Sequence, residues 1–99
     1  MTTSATETVM PLALGAAVTD DTLTVDLNDG RTVSVPLAWY PRLLHAAPAE
    51  RANWRLVAHG EGIHWPDVEE DISVASVIAG RPSSESAGSL QRWLDGRKA

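Results

Sequence analysis

The stretch TLTVDLNDGRTVSVPL, residues 22–37, limits the fold more than any other part of the chain. Leu23, Val25 and Leu27 alternate with Thr and Asp, and Val33, Val35 and Leu37 alternate again after Asn28-Asp29-Gly30. Period-two alternation on both sides of a turn triplet is the pattern of a β-hairpin with one buried face. The preceding ALGAAVTD adds a third strand, with Asp20-Asp21 as its turn.

The period then changes. In LAWYPRLLHAAPAERANW, Pro41 and Pro48 each suit a first helical turn, where the missing amide hydrogen would have no partner anyway. Leu43, Leu44 and Ala47 lie on one side of a short helix, and a second short helix from Pro48 runs into Trp54. WRLVAHGEGIHW returns to strand, with Gly60 and Gly62 at a tight connection. In DISVASVIAG, Ser73 is an N-cap, Val74, Val77 and Ile78 form a stripe, and Gly80 is a helix stop. After Pro82 a C-terminal helix is expected over about residues 83–97, with Leu90, Trp93 and Leu94 inward and Arg92, Arg97 and Lys98 outward. The fold class is therefore α+β: one antiparallel sheet of about five strands, opened by an N-terminal meander, with short helices packed mainly on one face. Residues 1–8, polar and rich in Thr and Ser, read as a disordered tail, and 9–99 as a single domain. With no Phe, the bulky apolar anchors are Trp39, Trp54, Trp65 and Trp93.

Composition removes several function classes. Thirteen acidic residues against eight Lys and Arg give a net charge of −5, so direct binding to nucleic acid is not expected. There is no cysteine, hence no disulfide framework and no thiolate zinc site. No membrane span and no secretory leader are expected, which points to the cytoplasm.

The segments DGRTVSVPLAWYPRLLHA, RANWRL and GEGIHWPDVEEDISV together resemble the bacterial domain-of-unknown-function family 2442, from about Val18 to Gly80. The resemblance implies a small α+β domain. It also implies a genomic setting: members are often encoded beside a second small protein, and some are joined to a helix-turn-helix domain. Such pairs look like toxin–antitoxin operons, with this domain on the antitoxin or regulatory side. The residues after Gly80 are too few for a helix-turn-helix domain. The family brings no catalytic residues to carry over. Where its pattern has a Gly-rich run, this chain reads Ala58-His59-Gly60-Glu61-Gly62, so no chemical role attaches to His59 or Glu61.

The chemistry-bearing residues concentrate in GEGIHWPDVEED, residues 60–71. The structural reading is that Trp65 plugs the core from a strand end and Pro66 stops the ladder. His64 alternates to the opposite face, and Asp67 bonds backbone amides in an Asx-type turn. Metal readings are weak: His45, His59 and His64 lack a ligand spacing, and a calcium loop from Asp67 would place Ile72 and Ile78 where Gly and Glu are needed. A hydrolase reading pairs His64 with Asp67 or Asp71 and a serine such as Ser73 or Ser76, without a GxSxG elbow. Glu61, Asp67, Glu69, Glu70 and Asp71 form an acidic run with no basic residue, ahead of the positive end of a helix dipole. That run is either a solvated turn or a docking face. In Trp39-Tyr40-Pro41-Arg42 the adjacent aromatics cannot both reach the core at full depth, so Tyr40 is expected at the surface with a wet hydroxyl. Core packing or a partner-facing set with Arg42 are the two readings of this step.

The expected function is a non-catalytic, intracellular protein-binding or regulatory module without a cofactor. It would be the antitoxin-like half of a two-gene pair and contact a basic partner through Trp39, Tyr40, Arg42, His64, Asp67, Glu69, Glu70 and Asp71. Two alternatives stand beside it: a small enzyme or metal-binding protein using His64 and Asp67, and a subunit that reaches DNA only through a partner. A homo-oligomer remains compatible with all three.

Overall fold

The computed structural model describes residues 10–97. The expected disordered tail over residues 1–8, and Lys98, lie outside them. The α+β class holds, but the strands form two antiparallel three-stranded sheets rather than one sheet of about five.

The first sheet is the expected meander. Strands β1 (Ala13–Val18), β2 (Thr22–Leu27) and β3 (Thr32–Pro36) lie in sequence order. Leu23 pairs with Val35 and Val25 with Val33, which places the hairpin's apolar set on one face. Leu23, Val25, Leu27 and Val35 are buried there, while Thr24 and Ser34 share a hydroxyl hydrogen bond of 3.1 Å on the other face. The Asp20-Asp21 turn is closed by the Thr19 hydroxyl, which accepts from the Thr22 amide.

After Pro36 a 3-10 turn (Leu37–Trp39) leads into α1 (Pro41–Leu44) and α2 (Pro48–Ala52), both opened by proline as expected. These two turns carry the chain away from β3. The strands that follow, β4 (Arg55–Val57), β5 (Gly62–Trp65) and β6 (Glu70–Ser73), pair among themselves and not with the meander. That is why the single sheet expected from the sequence is divided.

The β4–β5 connection lies against the first sheet. Gly60 is buried with φ +96, and a Cβ there would stand 2.9 Å from the Ala13 carbonyl oxygen. Only glycine fits both the left-handed backbone and this approach. α3 (Val74–Ala79) has the expected ends: the Ser73 hydroxyl accepts from the Ser76 amide at 3.0 Å, and Gly80 closes the helix at φ +73. α4 (Ala87–Arg97) starts later than expected and has no fully buried residue.

One apolar cluster joins the two sheets, with Leu23, Leu37, Leu43, Ile63, Trp65, Val68 and Val74 at its centre. Trp65 is the anchor: it is fully buried, and its indole N–H donates to the Arg51 carbonyl at 3.0 Å. Trp39, Trp54 and Trp93 pack against the cluster from outside. Arg51 is the unexpected member of this interior. It is 8% exposed and donates to the Leu43 and Leu44 carbonyls, which ties the end of α1 to α2.

Candidate functional site: an acidic cleft at the edge of the second sheet

Pairing fixes which side chains of β6 face inward. Ile63 stands opposite Ile72 and Trp65 opposite Glu70, and cross-strand partners project from the same face of a sheet. Ile63, Trp65 and Ile72 are buried, so Glu70 projects from the core side, at the end of the strand, and is half-buried. His64 and Asp71 form the next pair on the outer face, where the His64 Nδ1 donates to Asp71 Oδ1 at 2.6 Å.

Glu70 separates two adjoining clefts of about 260 Å³ each. The first is walled by Tyr40, Glu70, Ser73, Ser76, Arg81 and Ser84, among others. The second is walled by Arg42, Glu69, Glu70, Ser84, Glu85 and Ser89, among others. The segment between α3 and α4 closes this side, held by the Ser83 amide donating to the Trp39 carbonyl at 3.0 Å.

Burial pushes the Glu70 carboxyl up to about 7, with the Glu85 charge adding to the shift and Arg42 opposing it. No described residue donates a hydrogen bond to the Glu70 side chain. Tyr40 is 3% exposed, and its hydroxyl is buried without a partner. Burial raises that phenol too, with Glu70 adding to the effect. The expectation that Tyr40 is a surface residue with a wet hydroxyl is therefore overturned. Tyr40 ends the 3-10 turn, so its ring goes inward while Trp39 packs from the periphery of the cluster.

Arg42 is not a free contact residue either. Its guanidinium donates to both oxygens of Glu85 at 2.8–3.0 Å and to the Val68 and Glu69 carbonyls at 3.2 and 3.4 Å. It also lies 5.2 Å from the Trp93 ring centre, and Arg97 covers the same ring at 4.6 Å. Arg97 donates in turn to Glu50, so α4 and the residues just before it are attached by one indole near two arginines and by the Arg97–Glu50 and Arg42–Glu85 ion pairs. The pairing holds the Glu85 carboxyl below its usual range. Arg42 also ties down the turn ahead of β6, where Glu69 adopts φ +52, an uncommon conformation for a residue with a side chain.

The acidic run is thus not a uniform patch ahead of a helix dipole. It is a turn and a strand. Asp67 accepts from the Asn53 side chain at 2.9 Å instead of from backbone amides. Asp71 is taken by His64, Glu69 is exposed, and Glu70 faces inward. Of the residues singled out in the sequence, Tyr40, Arg42, Glu69, Glu70 and Asp71 gather around the two clefts. Trp39 supports them through its carbonyl, whereas Asp67 lies apart from the cleft walls. The sequence reading missed Arg81, Ser84 and Glu85, for which no local pattern exists. It also missed the inward direction of Glu70, because residues 70–73 read there as the approach to a helix and not as a strand. Among the described residues no three His, Cys, Asp or Glu side chains are placed to hold a metal ion. Ser73 and Ser76 are hydrogen-bonded to each other.

A family model described as "Protein of unknown function (DUF2442)" matches residues 15–83. The chain belongs to this family. The DUF2442 match takes in Tyr40, Arg42 and the whole acidic run and ends before Glu85 and α4. A crystal structure of a protein of unknown function from Rhodospirillum rubrum is similar, with TM-score 0.67 and 24% identity over 78% of this chain and 95% of the other. A solution structure of an uncharacterized protein from Chromobacterium violaceum gives 0.63 and 17% over 82% and 74%. At these identities the two establish the fold alone. No curated protein matches.

Proposed function

We propose that this chain is a non-catalytic, cytoplasmic protein-binding module, the antitoxin-like or regulatory member of a two-gene pair, and that it docks a basic partner protein through the acidic cleft around Glu70. The observation that carries this reading is a core-side carboxylate with no hydrogen-bond donor among the described residues, at the junction of two clefts, one edged by Asp71 and the other by Glu69. Keeping an unpaired carboxyl half-buried costs stability, and such a group is a candidate functional site for that reason. The net charge of −5 favours a basic partner and electrostatic steering toward it. The genomic setting that accompanies the family resemblance supplies a candidate, the small protein encoded next door. Contact with DNA would run through that partner. No described helix is long and apolar enough to cross a membrane.

The enzyme reading built on His64 and Asp67 has less support, since His64 hydrogen-bonds to Asp71 and Asp67 to Asn53. The docking reading is tested by co-expressing the neighbouring protein and measuring its association with the wild type and with the Glu69→Lys/Asp71→Lys variant. Both side chains are exposed, so the fold should survive. Association at low salt should slow by about tenfold. An unchanged rate for the folded variant would reject this face as the docking site.

A further inference from the structure

We infer that the cleft walled by Tyr40 and Glu70 receives a single guanidinium group, the end of an arginine side chain carried by the partner. The inference rests on the docking reading and gives it a chemical specification.

Two unmet needs meet in one place. The Glu70 carboxylate has two oxygens and no donor among the described residues. The Tyr40 hydroxyl is buried and unpaired, and its oxygen has free lone pairs. Arg42, whose charge partly offsets the shift of Glu70, donates its hydrogen bonds to Glu85 and to two carbonyls and none to Glu70. Glu69, Glu85 and Asp71 add negative potential around the cleft, and His64 reaches only Asp71. Arg81, exposed on the rim, is the one basic side chain in the wall of the first cleft. An anion entering here would meet Glu70 and Asp71 together. A cation would meet two carboxylates, next to a phenol oxygen that is closed to water in the free protein.

A guanidinium fits better than an ammonium ion. Its planar fork can place two N–H groups on Glu70 while a third reaches Tyr40, and it is more weakly hydrated, which favours a half-buried position. Burial keeps the Glu70 carboxyl at about 7, so a bound cation must displace its proton near neutrality. Binding should then strengthen as pH rises. If Glu70 instead stayed protonated and donated to a neutral or anionic ligand, binding would weaken as pH rises. The sign of the pH dependence separates the two.

The test is NMR titration of the full chain with N-acetyl-arginine amide, using the citrulline and lysine amides as uncharged and ammonium counterparts. The arginine amide should shift the signals of Tyr40, Glu70 and Ser84. It should bind about tenfold more tightly at about pH 8 than at about pH 6, as the ionised fraction of Glu70 rises around its midpoint of about 7. Glu70→Gln should abolish this pH dependence. Tyr40→Phe, which removes only an unpaired hydroxyl and leaves the ring in place, should stay folded and weaken binding several-fold. Equal binding of the citrulline amide, tighter binding of the lysine amide, tighter binding at the lower pH, or shifts confined to another surface would each overturn the inference. If the arginine amide fails while the neighbouring protein still binds with the expected sensitivity to Glu69→Lys/Asp71→Lys, the guanidinium assignment falls and the docking reading stands. If the amide binds as described but the neighbouring protein ignores this face, the docking reading falls.

Discussion

The two sheets of this small protein treat polarity differently. In the first, β1–β3, the alternation is clean: Leu23, Val25 and Leu27 go inward, and Thr24, Asp26 and Ser34 face out, hydrogen-bonded to one another or to their neighbours. In the second, β4–β6, the same alternation places a carboxylate, Glu70, beside Trp65 and Ile72 on the inner face. The first sheet has the arrangement that stability alone would select. The second departs from it at one residue, and around that residue lie two clefts, an unpaired phenol and an arginine engaged elsewhere. The first sheet supports the fold, and the edge of the second carries the polar clefts.

The largest expected effects test whether the two sheets share one core. Leu23→Ala and Trp65→Ala should each cost roughly 3–5 kcal/mol, because both side chains are fully buried in the cluster that joins the sheets. Each variant should still unfold in one transition when followed by far-ultraviolet circular dichroism and by tryptophan fluorescence. Separate transitions in Trp65→Ala would mean that the second sheet is held independently.

Next in size is the support behind the site. Arg42→Met removes the partner of Glu85, whose side chain is 9% exposed, and should cost about 2–3 kcal/mol at neutral pH in urea unfolding. The Glu85 carboxyl is held below its usual range in the folded state, chiefly by its hydrogen bond to Arg42. Its contribution is therefore complete above the unfolded value of 4.5 and is lost as pH falls through the lower folded value. The gap between wild type and variant should narrow in acid. A gap that stays constant would mean that Arg42 acts through its contact with Trp93 and not through Glu85.

The smaller effect has the opposite sign. The Glu70 carboxyl is raised in the folded state, so the unfolded chain holds its proton less tightly, and stability declines as pH rises from 4.5 to about 7. Glu70→Gln cannot ionise and should therefore stabilise the protein at about pH 8 by about 1–2 kcal/mol, with water at the cleft moderating the gain. At about pH 4 the difference should nearly vanish. If Glu70→Gln destabilises the protein at the higher pH, the carboxylate is making favourable contacts in the free protein, and the contrast between the two sheets disappears.

The parts of this arrangement differ in how far the sequence revealed them. Strands and turns were legible where period and turn residues agree, as in Leu23–Leu37, at the Pro41 and Pro48 helix starts, and at the Ser73 and Gly80 caps. The division into two sheets was not, because it depends on where two short proline-started helices deliver the chain, and alternation within a strand does not specify its neighbour. Trp65 as a core plug was legible from its place before Pro66. Tyr40 was misjudged because the rule that adjacent aromatics point apart does not say which one turns inward, and a 3-10 turn decided it. Arg42–Glu85 spans 43 residues of sequence and Arg51 reaches the α1 carbonyls across a loop, so both pairings exist only once the chain is folded. The acidic run was recognised as a group, but the separation of its last four members into one anchored (Asp67), one exposed (Glu69), one inward (Glu70) and one paired (Asp71) carboxylate exists only in the folded chain.

The most direct test of this contrast is the titration of Glu70 in the free protein, read from its side-chain carboxyl carbon by NMR with Glu70→Gln to assign the signal. A carboxylate on the inner face of the second sheet, without a donor, should titrate with a midpoint of about 7. A midpoint at the ordinary value of 4.5 would place Glu70 in open water and contradict the account of the cleft.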